Sequence, residues 1–502
     1  MRADRRELVG IFLLIVLARL PSLLGTYFDG DEGTFAAIAM RLRDGALYEA
    51  GGVDNKFPGI YWIYGLAFRL GGGWSMRTVH ALALLFVLAT AALLHRAAGG
   101  GRAGRLAALF YGVFTVVGPP KLQAAITEIF MMLPLAAAFC LGVRARPSSA
   151  GARQGLLDGA MVALGCAFKQ VAAAQLAVSV VAAVHHGRGR SALWPLAGFA
   201  LGLGALFGAV AATATLDGLG HWAIASLFAK YGPSGWSAAR MAPLLVARVL
   251  PFLGGTALLW WLACSRRPHD ATDRLAIAWT AASVLAVLAG GRFFPHYFVQ
   301  LVAPLSVLAA RALDAHLAGA RARLCRRLAI AGVAIPLAGA LALTIPFDPW
   351  SGGVGASRPD LEAVAREIRA RTPPEGRILV WGSSGLLYLA SERRPATRFV
   401  GFLRGLDRGN LEPAARAWDV AEAVWPALDE DLARTPPDLV VDLASSPDTD
   451  MHAYPMSSFP ALSRLRASCM RVAEIDGVTL CAPRRPKSRR PRRFRGLART
   501  RS

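Results

Sequence analysis

The stretch TYFDGDEGTFAAIAMRLRDG, residues 26–45, follows the first long apolar run, Leu8 to Leu24, and gathers Asp29, Asp31 and Glu32 within four positions. Carboxylates so close to a hydrocarbon segment have two readings. They cap the helix that starts near Gly33, because a carboxylate favours the positive end of a helix. Or they line a polar site at a membrane surface, where ionisable groups are costly and default to function. The face of the membrane they occupy separates the possibilities, and the rest of the chain sets that face.

At 502 residues, 54% hydrophobic and only 18% charged, with mean hydropathy +0.41, the chain is too apolar for an ordinary soluble domain. Apolar runs recur from Val79 to Leu94, Leu106 to Val117, Leu122 to Val143, Leu193 to Leu216, Leu244 to Ala263, Leu275 to Ala289, Phe293 to Leu308 and Leu328 to Ile345. Two shorter runs, Leu156 to Phe168 and Val171 to Val184, are one long span or a hairpin of two. Loop charge decides: Arg144, Arg146 and Arg153 precede the pair and Arg188 and Arg190 follow it, and cytoplasmic loops collect arginine. Both ends lie inside, with Lys169 and Gln170 at the outer tip. Arg2, Arg5, Arg6, Arg96, Arg102, Arg105, Arg266, Arg267, Arg274, Arg311, Arg321, Arg323, Arg326 and Arg327 then fall inside as well. The expectation is a polytopic α-helical membrane protein of about eleven transmembrane helices, N-terminus in and C-terminus out.

The formal charge of +23 is carried by these inner loops and by the tail at 485–502, so it points to anionic lipid rather than nucleic acid. The first run has a basic flank without a convincing cleavage site and reads as a retained anchor. After Ile345 the composition changes. Residues 346–359 form a Pro, Gly and Ser linker, and 360–484 alternate helix and strand as an extracytoplasmic α/β domain. The domain boundaries are therefore 1–345, 346–359, 360–484 and 485–502, with a first outer loop at 25–78. Cys140, Cys166, Cys264 and Cys325 lie in or beside spans and read as buried thiols. Cys469 and Cys481 flank an alternating segment with an Asp476-Gly477 turn, a hairpin that a disulfide can close in an oxidising compartment.

With this topology several ionisable residues meet the Asp29–Glu32 cluster on the outer face. Glu128 falls about a turn and a half into a span that begins near Lys121, which is also its candidate ion-pair partner. Lys169 tips the short hairpin, Lys56 lies in the first outer loop, and Arg292, His296 and Tyr297 open a late span. Such a constellation lines a wet pocket more convincingly than any one member does. The WGSSG turn at 381–385 lacks the spacing of a nucleophile elbow or phosphate loop.

The segments FDGDEGTFAAIAMRLRDGALY and NKFPGIYWIYGLAFRLGG together resemble the first outer loop of the polyprenyl-phosphate-dependent glycosyltransferases with the C-type fold, among them the protein O-mannosyltransferases and the lipid A aminoarabinose transferases. The family carries an Asp-Glu pair, here Asp31 and Glu32, then a Lys-Pro motif matched by Lys56, and an acid opening a later helix, here Glu128. Lys169 resembles the family lysine near the lipid phosphate. Many bacterial members read Glu-Lys-Pro where this chain has Asn55, Lys56, Phe57 and Pro58, so the role of that glutamate has no counterpart.

The resemblance implies an inverting glycosyltransferase of the bacterial cytoplasmic membrane that moves a hexosyl or pentosyl unit from a polyprenyl-phosphate donor to an envelope glycan, glycolipid or protein outside the membrane. Asp31, with Glu32 and Glu128, would be catalytic, Lys169, Lys56 and Arg292 would hold the donor phosphate, and Asp29, Gln170, His296 and Tyr297 would line the substrate site. No cofactor is required, although carboxylates this close admit a divalent metal. A lipid or sugar transporter or flippase, and an O-antigen ligase or polymerase, stay open as alternatives.

Overall fold

The computed structural model describes residues 2–484 except 26, 145–150, 187–191, 226–241, 290–292, 347–359, 383, 401–423, 448–451, 453 and 454. Arg292, the tail and nearly all of the linker therefore lie outside the described residues. The membrane part begins with α1 (Arg2–Ala18) and a short α2 (Leu20–Leu24) that carries Pro21 in its first turn. The first loop holds α3 (Gly30–Arg41) and α4 (Gly59–Leu70), and α5 (Met76–Ala97) and α6 (Gly101–Phe114) follow. Next come α7 (Thr127–Val143), α8 (Gly151–Cys166), α9 (Gln175–His186) and α10 (Leu193–Thr213), then long helices at Ala271–Ala289, Val299–Leu317 and Ala322–Thr344.

Among the described residues five helices are long and apolar enough to cross a membrane, and a sixth span is obtained if Ala242–Gly255 and Ala257–Cys264, bent by 69° at their junction, count as one. The windows of α10 and of Ala322–Thr344 are only 17% buried, and Leu201, Ile330 and Ile335 stand exposed. That outward apolar surface is what a helix presents to lipid.

The short runs of the sequence form two helices, as loop charge requires. The first ends at Cys166, and a 3-10 turn over Gln170–Ala174 leads into α9, which leaves Lys169 at the break. Glu128 differs from its expected depth: α7 starts only at Thr127, so Glu128 stands in the first helical turn. The cause is upstream, where Ala124 and Ile126 adopt extended backbone and interrupt the apolar run.

The C-terminal domain is built on β1 (Arg377–Trp381), β2 (Arg394–Pro395), β3 (Leu439–Asp442), β4 (Cys469–Ile475) and β5 (Val478–Pro483), in the order β2-β1-β3-β5-β4. The β2-β1-β3 half is parallel, and β5 is antiparallel to both β3 and β4. Residues 378–381 of β1 and all four of β3 are buried, the continuous apolar pattern of a covered parallel strand. Asp476 and Gly477 both take positive φ (48° and 79°), which fits a type I′ hairpin turn between β4 and β5. Cys469 and Cys481 are joined across that hairpin with their Cα atoms 5.5 Å apart.

The domain does not hang free. A Cβ on Gly33 of α3 would lie 2.5 Å from the Leu386 backbone nitrogen, so α3 and the Leu386–Ser391 helix meet through glycine. Arg377 donates to both Asp44 oxygens, at 2.7 and 2.8 Å, and Arg41 Nη1 donates to the Pro395 carbonyl at 2.6 Å. The Val53 amide adds a bond to the Arg398 carbonyl at 3.1 Å. The first loop is thus clamped between the bundle and the sheet.

Candidate active site

The acids of the first loop divide by surroundings. Asp29 is the N-cap of α3, its Oδ1 accepting the Asp31 amide at 3.3 Å, and it also ion-pairs with Lys121. Burial pushes the Asp29 carboxyl up, the Lys121 ammonium pulls it down and Asp31 raises it again, for a net value of about 6. Glu32 is 0% exposed and accepts three hydrogen bonds: from the Phe28 amide at 2.7 Å, the Ala125 amide at 2.6 Å and His80 Nε2 at 2.8 Å. It holds the start of α3 to α5 and to the segment before α7. Three of the roughly four acceptor sites of this carboxylate are thus occupied by the protein itself, which makes Glu32 a brace. Asp31, in the same helical turn, keeps partial exposure.

A second cluster forms around Glu128, which is 0% exposed. It ion-pairs with Lys169, accepts the Thr127 hydroxyl at 2.8 Å and lies 3.8 Å from His296 Nε2. The Lys169 ammonium sits 3.7 Å from the centre of the Tyr297 ring, a cation–π contact. Lys121, the candidate partner of Glu128 by sequence, goes to Asp29 instead.

Residues 294–297 join the two clusters. The Phe294 ring stacks on His296 at 5.7 Å and lies 5.6 Å from the Lys121 ammonium and 4.4 Å from the Arg248 guanidinium. Phe294 thus lies between His296, beside Glu128, and Lys121, the partner of Asp29.

Lys56 reaches the edge of this region. Gly59, at the start of α4, donates its amide to the Ala167 carbonyl at 2.8 Å, and a Cβ there would come within 2.6 Å of that oxygen. This close approach docks the NKFPG segment on the Lys169 turn. Gln170 Nε2 donates to the carbonyls of Asn55 at 3.5 Å and Ala223 at 3.4 Å, while Lys56 Nζ donates to Asn55 Oδ1 at 2.7 Å. Asp54, offset from the family motif, is 2% exposed and accepts the Tyr61 hydroxyl at 2.9 Å, which is a structural bond.

Sequence reading missed His80, the Lys121–Asp29 pairing and Arg248. His80 carried a signal, a lone imidazole at the start of an apolar run; the other two become visible only in three dimensions. Among the described residues no three His, Cys, Asp or Glu side chains converge as a metal site.

No protein-family model matches the chain, and no curated protein matches it in sequence. Solved structures do. ArnT from Cupriavidus metallidurans bound to undecaprenyl phosphate aligns at TM-score 0.58 and 16% identity, over 95% of this chain and 97% of that one. The AglB oligosaccharyltransferase from Archaeoglobus fulgidus, in complex with an inhibitory peptide and a dolichol-phosphate, aligns at 0.50 and 13%, over 88% and 69%. A mutant of the mycobacterial arabinofuranosyltransferase AftD aligns at 0.51 and 15%, over 95% of this chain and 41% of the other.

The fold is the C-type glycosyltransferase fold. At these identities the likeness concerns architecture and carries no residue roles. The match to ArnT runs through the C-terminal domain as well as the bundle, so the C-type fold here includes the domain that covers α3.

Proposed function

We propose that the protein is an integral-membrane inverting glycosyltransferase, which moves a sugar from a polyprenyl-phosphate carrier to an acceptor of the cell envelope on the outer face of a bacterial cytoplasmic membrane. The observation that carries this reading is the link from the first-loop acids to the Glu128–Lys169 pair, which runs from Asp29 through Lys121, Phe294 and His296, within a C-type fold. An ArnT structure with the same architecture holds undecaprenyl phosphate. The eleven-span arrangement adds the shorter helices α1, α6, α7, α8 and α9 to the six spans above.

In this mechanism Asp31 is the general base: it takes the proton of an acceptor hydroxyl as that oxygen attacks the anomeric carbon. The carbon–oxygen bond to the lipid phosphate breaks in the same step, which inverts the carbon. The departing phosphate is already a weak base and needs positive charge rather than a proton. Lys169 supplies it, with Lys56 and Arg292 as further candidates from the sequence and Lys121 and Arg248 added by geometry. Glu128 holds Lys169 in place, and Glu32 with His80 fixes the start of α3 so that Asp31 faces the pocket. Asp29, His296, Tyr297 and Gln170 line the substrate region.

The test is mass spectrometry of polyprenyl-phosphate sugars and envelope glycans in cells carrying the wild-type chain or Asp31→Asn at matched membrane levels. One lipid-linked sugar is expected to accumulate while one glycan loses the same residue. No change in either, in cells that make such donors, would overturn the proposal.

A further inference from the structure

A cavity of about 620 Å³ opens at the far end of α3, between the first loop and the C-terminal domain. Its size falls in the range of small-molecule sites, roughly 300–1,000 Å³. It is separate from the first-loop acids: the wall begins at Ala39, eight residues beyond Asp31 on α3 and so about 12 Å along the helix axis.

Three features show what the cavity can hold. Arg43 and Arg69 line it and are exposed, and among the described residues their side chains have no hydrogen bond or ion pair. Trp74 also lines it, and an indole is a surface on which a sugar ring can pack. Gly72 and Gly73 border open space on the same lining, since a Cβ on either would meet nothing within 4 Å.

The acids of the wall do not cancel the arginines. Glu375 is already taken by Arg394 at 2.6 Å. Glu392 is held at φ 56°, a left-handed conformation that non-glycine residues rarely adopt, at the end of the Leu386–Ser391 helix. That conformation is the left-handed cap that ends the helix, with the Glu392 amide donating to the Leu389 carbonyl at 3.1 Å.

We propose that this cavity is a subsite for an anionic sugar of the acceptor, resting on the transferase reading above. Arg43 and Arg69 grip a phosphate or carboxylate with their planar, multi-donor guanidinium groups. Trp74 packs on the ring and Glu392 accepts from sugar hydroxyls. An acceptor gripped here must be long enough to carry its reacting hydroxyl along α3 to Asp31, so the natural acceptor is an extended acidic glycan or the headgroup of a large acidic glycolipid.

The test is calorimetric titration of the full-length protein in nanodiscs with tetragalacturonate, a phosphorylated tetrasaccharide and maltotetraose. At least one anionic probe is expected to bind at least tenfold more tightly than maltotetraose. That preference should vanish in the double variant Arg43→Ala/Arg69→Ala, and Trp74→Ala should weaken all binding. Comparison of the two anionic probes tells phosphate from carboxylate recognition.

Among the described residues neither arginine has a side-chain partner, so the double variant should melt like the wild type, and Asp31→Asn should bind the probes unchanged. Equal binding of maltotetraose, no binding of either anion, or full binding by the double variant would overturn the inference. If those results came alongside transfer abolished by Asp31→Asn, the subsite alone would fall and the transferase reading would stand.

Discussion

Asp31 and Glu32 are chain neighbours whose substitution should have opposite consequences. Glu32→Ala strips the acceptor from two buried amides and from His80, and each buried donor left unpaired costs about 1–3 kcal/mol. The variant is expected to melt well below the wild type in detergent and to accumulate poorly. Asp31→Asn should melt normally while losing transfer by about 10²–10⁴, the usual share of a general base. Equal stability of the two variants would sink the division of labour. Asp29 adds a pH dependence. Its carboxyl titrates at about 6, so it releases Lys121 as it takes up a proton below that pH. Transfer should therefore fall on the acid side with a midpoint near 6, and Asp29→Asn should remove that limb from the pH–rate profile. The cluster was legible because charge stands out against an apolar background. The split between its members was not, because two of the three partners of Glu32 lie 48 and 93 residues away.

At the scale of elements, the break between α8 and α9 and the start of α7 place one ion pair. Lys169→Ala leaves Glu128 fully buried without its ammonium, and breaking a buried pair in this way typically costs about 3–5 kcal/mol. Both stability and transfer should drop. The double variant Glu128→Gln/Lys169→Met should recover most of the thermal stability and none of the transfer, which separates packing from chemistry. If Lys169→Ala melts like the wild type, the pair does not hold this corner together. The sequence announced the hairpin through loop arginines and run length, and the β4–β5 turn through Asp476-Gly477. It did not announce that α7 starts late. Periodicity registers apolar residues, whereas the extended backbone before Thr127 is set by the partner that the Ala125 amide finds in Glu32.

For the whole molecule, the decisive relation is between the first loop and the sheet. Burial pushes the Asp44 carboxyl up, but the hydrogen bonds and charge of Arg377, with Arg41 and Arg394, outweigh it and hold the group below its ordinary range. A carboxyl depressed in the folded state contributes stability above its unfolded value of about 3.9 and loses it as the pH falls through the folded value. The docked domain should thus stay in place at about pH 5 and loosen only below about pH 4, as read by hydrogen exchange in α3 and β1. Asp44→Asn should loosen it already at neutral pH. Docking also ties the topology together. Because the sheet grips the loop that carries Asp31, the domain and the acids must share one face, and the proposed orientation, which rests on loop arginine, puts Arg102, Arg266 and Arg311 on the cytoplasmic side. Single cysteines at Glu49 and Arg471, in a background whose four free cysteines are replaced, should react with a membrane-impermeant maleimide on intact spheroplasts. Cysteines at Arg102 and Arg274 should react only after permeabilisation. The reverse pattern would place Asp31 in the cytoplasm, where nucleotide sugars are available and a lipid-linked donor loses its rationale. A split between Glu49 and Arg471 would break the docking itself, since no fold can hold Asp44 against Arg377 across a bilayer.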